Sequence, residues 1–392
     1  MKKSNFKKKK IVIFTTSRAD YGLLRVFIKN INNNKKFQSF LIVTGSHLEK
    51  KNGLTIKEIS SDKIKIFKKI SLKIKSDKPT DIIKSMARGM VFFNKALQDI
   101  KPDLIAILGD RIELLPICYS ALLLNIPIAH FNGGESTEGS MDEQVRHSIS
   151  KLSHLHFAAN QLYANRLILM GEHPKQVFNI GGTSIDNIID KKLLTKKEIE
   201  KFYNIKLKKK IILITYHSAT LQPNSSIQEL KNLLTVLSKY KNYSLIFTGT
   251  NIDIRSNLIK KLINKFVKMN KNALFIESMG STRYLSTMKF SDAIVGNSSS
   301  GILEAPFFKK PVLNIGDRQK GRLKAANIIS CKGNLNEIKK SIKKCLSKNF
   351  KNSIRRFKNP YGNGNSSKKA IKVLEKTNFN KLILKKFYQS FK

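Results

Sequence analysis

Cysteine is scarce in this 392-residue sequence: Cys118, Cys331 and Cys345 are an odd number without CxxC spacing, which excludes a disulfide framework and a zinc-ligand pattern. A reducing compartment fits that usage, and the chain is read as cytoplasmic. No apolar run approaches the roughly 18 residues of a membrane-spanning helix. Lysine-rich residues 2–10 precede an apolar run at 11–14 that is shorter than the roughly 7 to 15 residues of a signal-peptide core. GxxxxGKS/T does not occur, so ATP hydrolysis by a P-loop is unsupported. No GxGxxG follows a strand-like run, and HExxH or similar metal spacing is missing. No metal, nicotinamide or other redox cofactor is therefore expected.

Acidic residues are also few, 27 against 74 basic ones, for a formal charge of +47. That sign predicts attraction to acidic partners, from nucleic acid to membrane surfaces to phosphorylated metabolites. Arginine, however, supplies only 12 of the 74, and the 62 lysines are scattered through every segment. A nucleic-acid binder would use arginine for bidentate phosphate and guanine contacts and interleave aromatics with basic residues. The charge is read as a solvated lysine-rich surface, with neither a nucleic-acid nor a membrane partner expected. A basic nucleic-acid-binding protein stands as the alternative of another class, and a gel shift at about 150 mM salt separates the two.

What is present is ordinary globular composition, 41% hydrophobic and 26% charged residues, over a length that suits two domains at roughly 100 to 200 residues each. Short apolar runs alternate with longer amphipathic stretches, the pattern of βαβ units and a parallel sheet. Strands are expected at 11–14, 40–43, 104–108, 126–131 and 155–158. The pattern restarts with 210–215, 244–248, 273–277, 293–295 and 312–315. The expected fold class is α/β, with two Rossmann-like doubly wound domains facing a cleft. Their bounds are read as 1–187 and 188–358, and a dense turn cluster at 359–365 introduces a terminal segment, 359–392.

In open parallel sheets, ligands sit outside the carboxyl ends of the strands. The polar residues after each strand are therefore the candidates. Arg18 opens a helix after the first strand, where backbone N–H groups and a guanidinium can share a phosphate, unless Asp20 is a cap and Arg18 a surface residue. Asp110 and Arg111 end the third strand, and Glu135 follows two glycines after the next. Asp142 and Glu143 then begin a helix-like stretch with Arg146 and His147. Three acidic sites on such loops, in a chain with 27 acids, suit proton transfer, while ion pairs with Arg111 and Arg146 are the structural alternative. In the second half His217 and Asn251 follow strands. Ser298, Ser299 and Ser300 turn a strand into a helix, aiming N–H groups and hydroxyls at a diphosphate where a cap needs one serine. Arg318, Lys320 and Arg322 follow the next strand.

Together SRADYG at 17–22, GDR at 109–111, GGE at 133–135, DEQVRHSISKLSHLH at 142–156, GNSSSG at 296–301 and GDRQKGR at 316–322 resemble the hydrolysing UDP-N-acetylglucosamine 2-epimerases of sialic-acid and legionaminic-acid biosynthesis. The motifs run in order from about residue 10 to 375. The resemblance implies a glycosyltransferase-B-type fold whose last helix crosses back onto the N-terminal domain, with acidic catalytic loops in the first domain and UDP binding in the second. It implies conversion of UDP-N-acetylglucosamine to N-acetylmannosamine and UDP, through elimination to a 2-acetamidoglucal and hydration. A related branch takes UDP-2,4-diacetamido-2,4,6-trideoxyglucose, and the motifs do not separate the two sugars. Asp110, Glu135 and Asp142 match the family's acidic positions and His217 its cleft histidine. Arg18, Arg111, Asn251, Ser298, Ser299, Glu304 and Arg318 match positions that hold the UDP-sugar, Glu304 through the ribose hydroxyls. Gly22 stands where animal members carry serine, so a side-chain contact from that position is missing. A UDP-sugar partner and a homo-oligomer, dimer or tetramer, complete the expectations.

Overall fold

The computed structural model describes residues 7–49, 54–76, 78–138, 141–218, 223–249 and 256–389. They form two compact units. One groups the described residues within Met1–Glu135, Met141–Asn187 and Gly364–Lys392, and the other those within Ser136–Ser140 and Ile188–Asn363.

The first unit is built on β1 (Lys9–Thr15), β2 (Phe37–Thr44), β3 (Ile66–Ile70), β4 (Leu104–Leu108), β5 (Ile128–Phe131), β6 (Leu155–Ala158) and β7 (Val177–Asn179). Their order is β3-β2-β1-β4-β5-β6-β7, parallel throughout. Helices cover both faces, so a central strand such as β4 (LIAIL) is buried at every position. Alternation along β1 sends Ile11 and Ile13 into one core with Phe27, Phe131 and Phe157, and Val12 and Phe14 into the other with Phe93 and Ile117. The helix Ser366–Lys376 belongs to the first of these cores through Ala370, Ile371 and Leu374. Its start is fixed by Asp186, whose carboxylate accepts from the N–H groups of Ser366 (2.9 Å) and Ser367 (2.7 Å).

The second unit repeats the plan with β8 (Lys210–Thr215), β9 (Tyr243–Thr248), β10 (Ala273–Ile276), β11 (Ala293–Gly296), β12 (Val312–Ile315) and β13 (Ile328–Cys331), parallel in the order β10-β9-β8-β11-β12-β13. The α/β class and the two doubly wound sheets agree with the sequence pattern. The pattern does not show β3, β7 and β13, each of which lies at a sheet edge.

Strand order reverses between β1 and β4 in one sheet and between β8 and β11 in the other. The loops after these strands therefore flank a switch point, the place where open α/β sheets bind ligands. Backbone geometry there is demanding. Gly296 has φ +136°, and a Cβ on it would lie 1.9 Å from the Thr215 carbonyl oxygen, so no other residue lets β11 end so close to β8. Gly134 has φ +76° and would place a Cβ 2.4 Å from the Tyr163 carbonyl oxygen.

Candidate active site

In the first unit the loop after β1 is wound around Asp20. This buried carboxylate accepts from the Thr15 hydroxyl, from Thr16 N (2.8 Å) and Oγ1 (2.6 Å), and from Ser17 N (3.1 Å), and completes a capping box on the helix Arg18–Asn32. Arg18, at the first helical position, is exposed. Ser17 is thus the cap and Asp20 its capping-box partner in the first turn, and Arg18 is exposed at the helix start. Fully buried His47 sits against this loop, its Nε2 3.0 Å from Thr15 Oγ1 and its Nδ1 2.9 Å from Thr55 Oγ1. Burial outweighs the nearby Asp20 charge and holds its pKa below the ordinary histidine value.

After β4 the two charged residues part company. Arg111 turns to buried Glu113, donating from Nε (3.2 Å) and Nη2 (2.9 Å). Asp110 instead meets the guanidinium of Arg146, which is 1% exposed and comes from the helix Met141–Leu152. Arg146 also donates to the Glu135 carbonyl (3.1 Å) and to Glu143 Oε2 (3.0 Å). Burial alone would lower the arginine's pKa, but Asp110 and Glu135 outweigh it and raise it. Asp110 and the buried Glu135 segment are therefore gathered on one cation, whereas Asp142, in the first turn of the helix, is exposed.

In the second unit Asn297 is the hub. Its side chain accepts from His217 N (2.7 Å) and donates to the His217 carbonyl (2.8 Å), clamping the loop after β8 to the loop after β11. Its own carbonyl accepts from Arg318 Nη1 (3.2 Å) and Gln319 Nε2 (3.0 Å). His217 is buried, and that burial together with the adjacent Arg318 pushes its pKa down to about 3. At neutral pH it is a neutral imidazole, able to donate one N–H without carrying charge. Ser298 caps the helix Ser299–Leu303, and a chain of hydroxyls runs from it through Ser300 (3.0 Å), Tyr284 (2.5 Å) and Thr215 (3.4 Å) to Thr248 (2.8 Å). A small pocket nearby is lined by Thr215, Gly296, Ser298, Gly301 and Asn314, and the buried Oδ1 of Asn314 has no hydrogen-bond partner. Ser299 is half-buried at the helix start. Glu304 closes the same helix, and burial, opposed by Lys191, raises its pKa to about 7.

Asp110 and Glu135 thus meet on Arg146, and His217 and Arg318 meet on Asn297, while Arg18 and Asp142 stand exposed within the first unit. Asn251 lies outside the described residues. Sequence reasoning did not assign roles to Asn297, Gln319, Glu113 or Glu143. A signal existed for Asn297, which is the first residue after the strand-ending glycine. Among the described residues no group of three or more His, Cys, Asp or Glu side chains is placed to hold a metal ion, and no helix is long and apolar enough to cross a membrane.

Two parallel doubly wound units with polar loops at their switch points define a glycosyltransferase-B-type α/β protein. The UDP-N-acetylglucosamine 2-epimerase family matches residues 29–375, and the chain belongs to that family, among its hydrolysing members. It is similar to the GDP/UDP-N,N'-diacetylbacillosamine 2-epimerase (hydrolyzing) of Campylobacter jejuni, with 44% identity over 345 residues that cover 88% of this chain and 89% of the relative. Polysialic acid biosynthesis protein P7 of Escherichia coli is 35% identical over 368 residues, 94% of each chain. Among solved structures, UDP-GlcNAc 2-epimerase from Neisseria meningitidis bound to UDP-GlcNAc matches with a TM-score of 0.73 at 22% identity, covering 94% of this chain and all of that one, which shows the shared fold.

Proposed function

We propose that the protein is a hydrolysing 2-epimerase whose substrate is UDP-N,N'-diacetylbacillosamine, the UDP-linked 2,4-diacetamido-2,4,6-trideoxyglucose, and whose products are UDP and the free 2-epimer. The observation that carries this reading is the 44% identity, along nearly the whole chain, to the Campylobacter enzyme that bears this sugar in its name. UDP-N-acetylglucosamine, giving N-acetylmannosamine, is the second reading, favoured by the name of the family itself.

The chemistry needs a base for the proton on C2, stabilisation of the departing UDP as C1–O breaks, a water for C1 of the glycal and an acid that returns a proton to the opposite face of C2. Asp110, Glu135 and Asp142 divide the proton transfers. Neutral His217 donates a hydrogen bond, orienting the sugar or easing the departure of phosphate. Arg18, Arg111 and Arg318 supply charge for the diphosphate, with Ser298, Ser299 and the resemblance-derived Asn251 completing its contacts. Glu304 accepts from the ribose hydroxyls.

Product formed in D₂O is expected to carry deuterium at C2, because the original proton is lost and replaced. NMR of reactions with each of the two UDP-sugars reads both the isotope and the identity of the released sugar. Retention of the original hydrogen, or transfer of the sugar to an acceptor, refutes the reaction.

Two binding predictions follow from the second unit. Ser298→Ala is expected to weaken UDP binding by about 2 kcal/mol, the scale of a hydrogen bond to a charged group, as read by calorimetry. Unchanged affinity would leave Ser298 with its capping role alone. Glu304 accepts hydrogen bonds at both oxygens only when ionised. With its pKa near 7, its contribution to UDP affinity should grow as pH rises from 6 to 8. Glu304→Gln should lose that part of the pH dependence, and the difference between wild type and variant isolates it from titration of the phosphate.

A further inference from the structure

We infer that Arg146 is the positioning residue of the proton-transfer apparatus, holding Asp110 and Glu143 in one fixed arrangement. The inference rests on the epimerase reading above. A guanidinium that is 1% exposed has to be matched on several sides, and three of its contacts lead to the acidic loops. Nη2 holds the Asp110 carboxylate at the end of β4. Nη1 is shared between the Glu135 carbonyl, 3.1 Å away at the end of the loop after β5, and Glu143 Oε2 at 3.0 Å. The end of β4 and the loop after β5 thus converge with Glu143 on one planar group, carried by the helix Met141–Leu152.

Neighbouring contacts sharpen this arrangement. Glu143 lies one turn before Arg146 on the same helix face, and its other oxygen is 3.1 Å from His147 Nε2, so the carboxylate is held from both sides. The Gly109 carbonyl, immediately before Asp110, is 2.8 Å from His130 Nε2, which fixes the backbone that presents Asp110. Arg111, next in sequence, is turned to Glu113 and does not substitute. Asp110 and Glu143 nevertheless keep side-chain exposures of 27% and 26%, so these contacts do not seal either carboxylate from solvent. A lysine cannot reproduce the arrangement, since a single ammonium lacks the planar fork that engages three acceptors at fixed angles.

Arg146→Lys and Glu143→Gln test the role in the full-length protein, with UDP-N,N'-diacetylbacillosamine and UDP-N-acetylglucosamine as substrates. Misplacement of a reacting group by about 1 Å costs about 10²-fold, so Arg146→Lys should lower kcat by that order. KM and the calorimetric Kd for UDP should stay within about threefold. Glu143→Gln, which leaves the arginine in place, should lower kcat by about tenfold with UDP binding equally spared. A wild-type kcat in a folded Arg146→Lys, or loss of UDP binding in step with kcat, would overturn the inference. Should Arg146→Lys fail to fold, undiminished kcat in Glu143→Gln would overturn it instead. Wild-type protein that releases no UDP from either sugar would remove the functional reading and this inference together. An active wild type with unimpaired variants removes only the inference.

Discussion

Asp110→Asn and Glu135→Gln are each expected to lower kcat by about 10² to 10⁴-fold, the contribution of a positioned general acid or base, while UDP affinity stays within a few fold. Both exchanges keep the shape of the side chain and remove its ability to move a proton. Their structural costs differ, and that difference makes the pair informative. The Asp110 carboxylate is bound to Arg146, so Asp110→Asn weakens a charge-assisted contact as well as removing the proton acceptor. Glu135 offers its backbone carbonyl to Arg146, so Glu135→Gln keeps that hydrogen bond and removes only the Glu135 charge that acts on the guanidinium. Asp142→Asn changes an exposed position in the first turn of the helix Met141–Leu152, whose charge acts on Arg111. Rapid-quench analysis adds a second reading, because a residue required only for hydration should let the glycal accumulate. Normal turnover in all three variants would make these carboxylates structural partners of Arg111 and Arg146.

Much of this site was legible before any coordinates, for a physical reason. A strand buried on both faces must be an unbroken apolar run, so β4 (LIAIL) and β8 (KIILIT) stand out, and whatever polar residue follows such a run lies at a strand end. Asp110, His217 and Ser298 each lie two residues beyond such a strand end. Three of the four edge strands escape this rule. β3 (IFKKI) alternates exposed and covered positions with two lysines, β7 has three residues, and none of the four in β13 is fully buried. The partners of the site were hidden too. That Arg111 serves its near neighbour Glu113 while Asp110 is met by Arg146, from a separate helix, depends on side-chain direction, which the order of residues does not give. Asn297 was visible within its motif, but a clamp on the His217 peptide requires β8 and β11 to be neighbours, which only the sheet order provides.

Glu172→Gln is expected to destabilise the first unit by about 3 to 5 kcal/mol, the cost of removing one member of a buried ion cluster. Glu172 is fully buried and accepts from Lys151 Nζ (2.6 Å), from Lys385 Nζ (2.8 Å) and from His156 Nε2 (2.8 Å). Burial lowers the pKa of His156 below the ordinary histidine value, and its Nε2 is the nitrogen that faces the carboxylate as donor. Burial alone would raise the Glu172 pKa, but His156 and the two lysines lower it from 4.5 to about 2. The ionised carboxylate therefore stabilises the fold at and above its ordinary pKa. That stabilisation, about 3 kcal/mol for a shift of this size, disappears as the pH falls from 4.5 toward 2. Urea unfolding of wild type and Glu172→Gln at pH 7 and through this acid window checks both statements. The gap between the two proteins should narrow on acidification, and a constant gap would contradict the linkage. Lys385→Met should reproduce part of the loss, since Lys385 also donates to the carbonyls of Lys151 (2.6 Å) and Ser153 (2.7 Å).

The helix Ser366–Lys376 sets the timing of biosynthesis. Ala370, Ile371, Leu374, Phe379 and Leu382 share a core with Ile11, Tyr21, Leu24, Phe27 and Ile31, so the first unit is completed only when residues far downstream of its first helix have been translated. Asn30 finds its partner, the Ser367 hydroxyl at 2.9 Å, 337 positions downstream. At roughly 5 to 20 residues per second, that interval is on the order of tens of seconds, during which the helix Arg18–Asn32 carries an uncovered apolar flank. The second unit, contiguous apart from one short segment, has no such wait. Nascent chains stalled before residue 366 should therefore engage holdase chaperones through the N-terminal half, and release should coincide with emergence of the helix Ser366–Lys376.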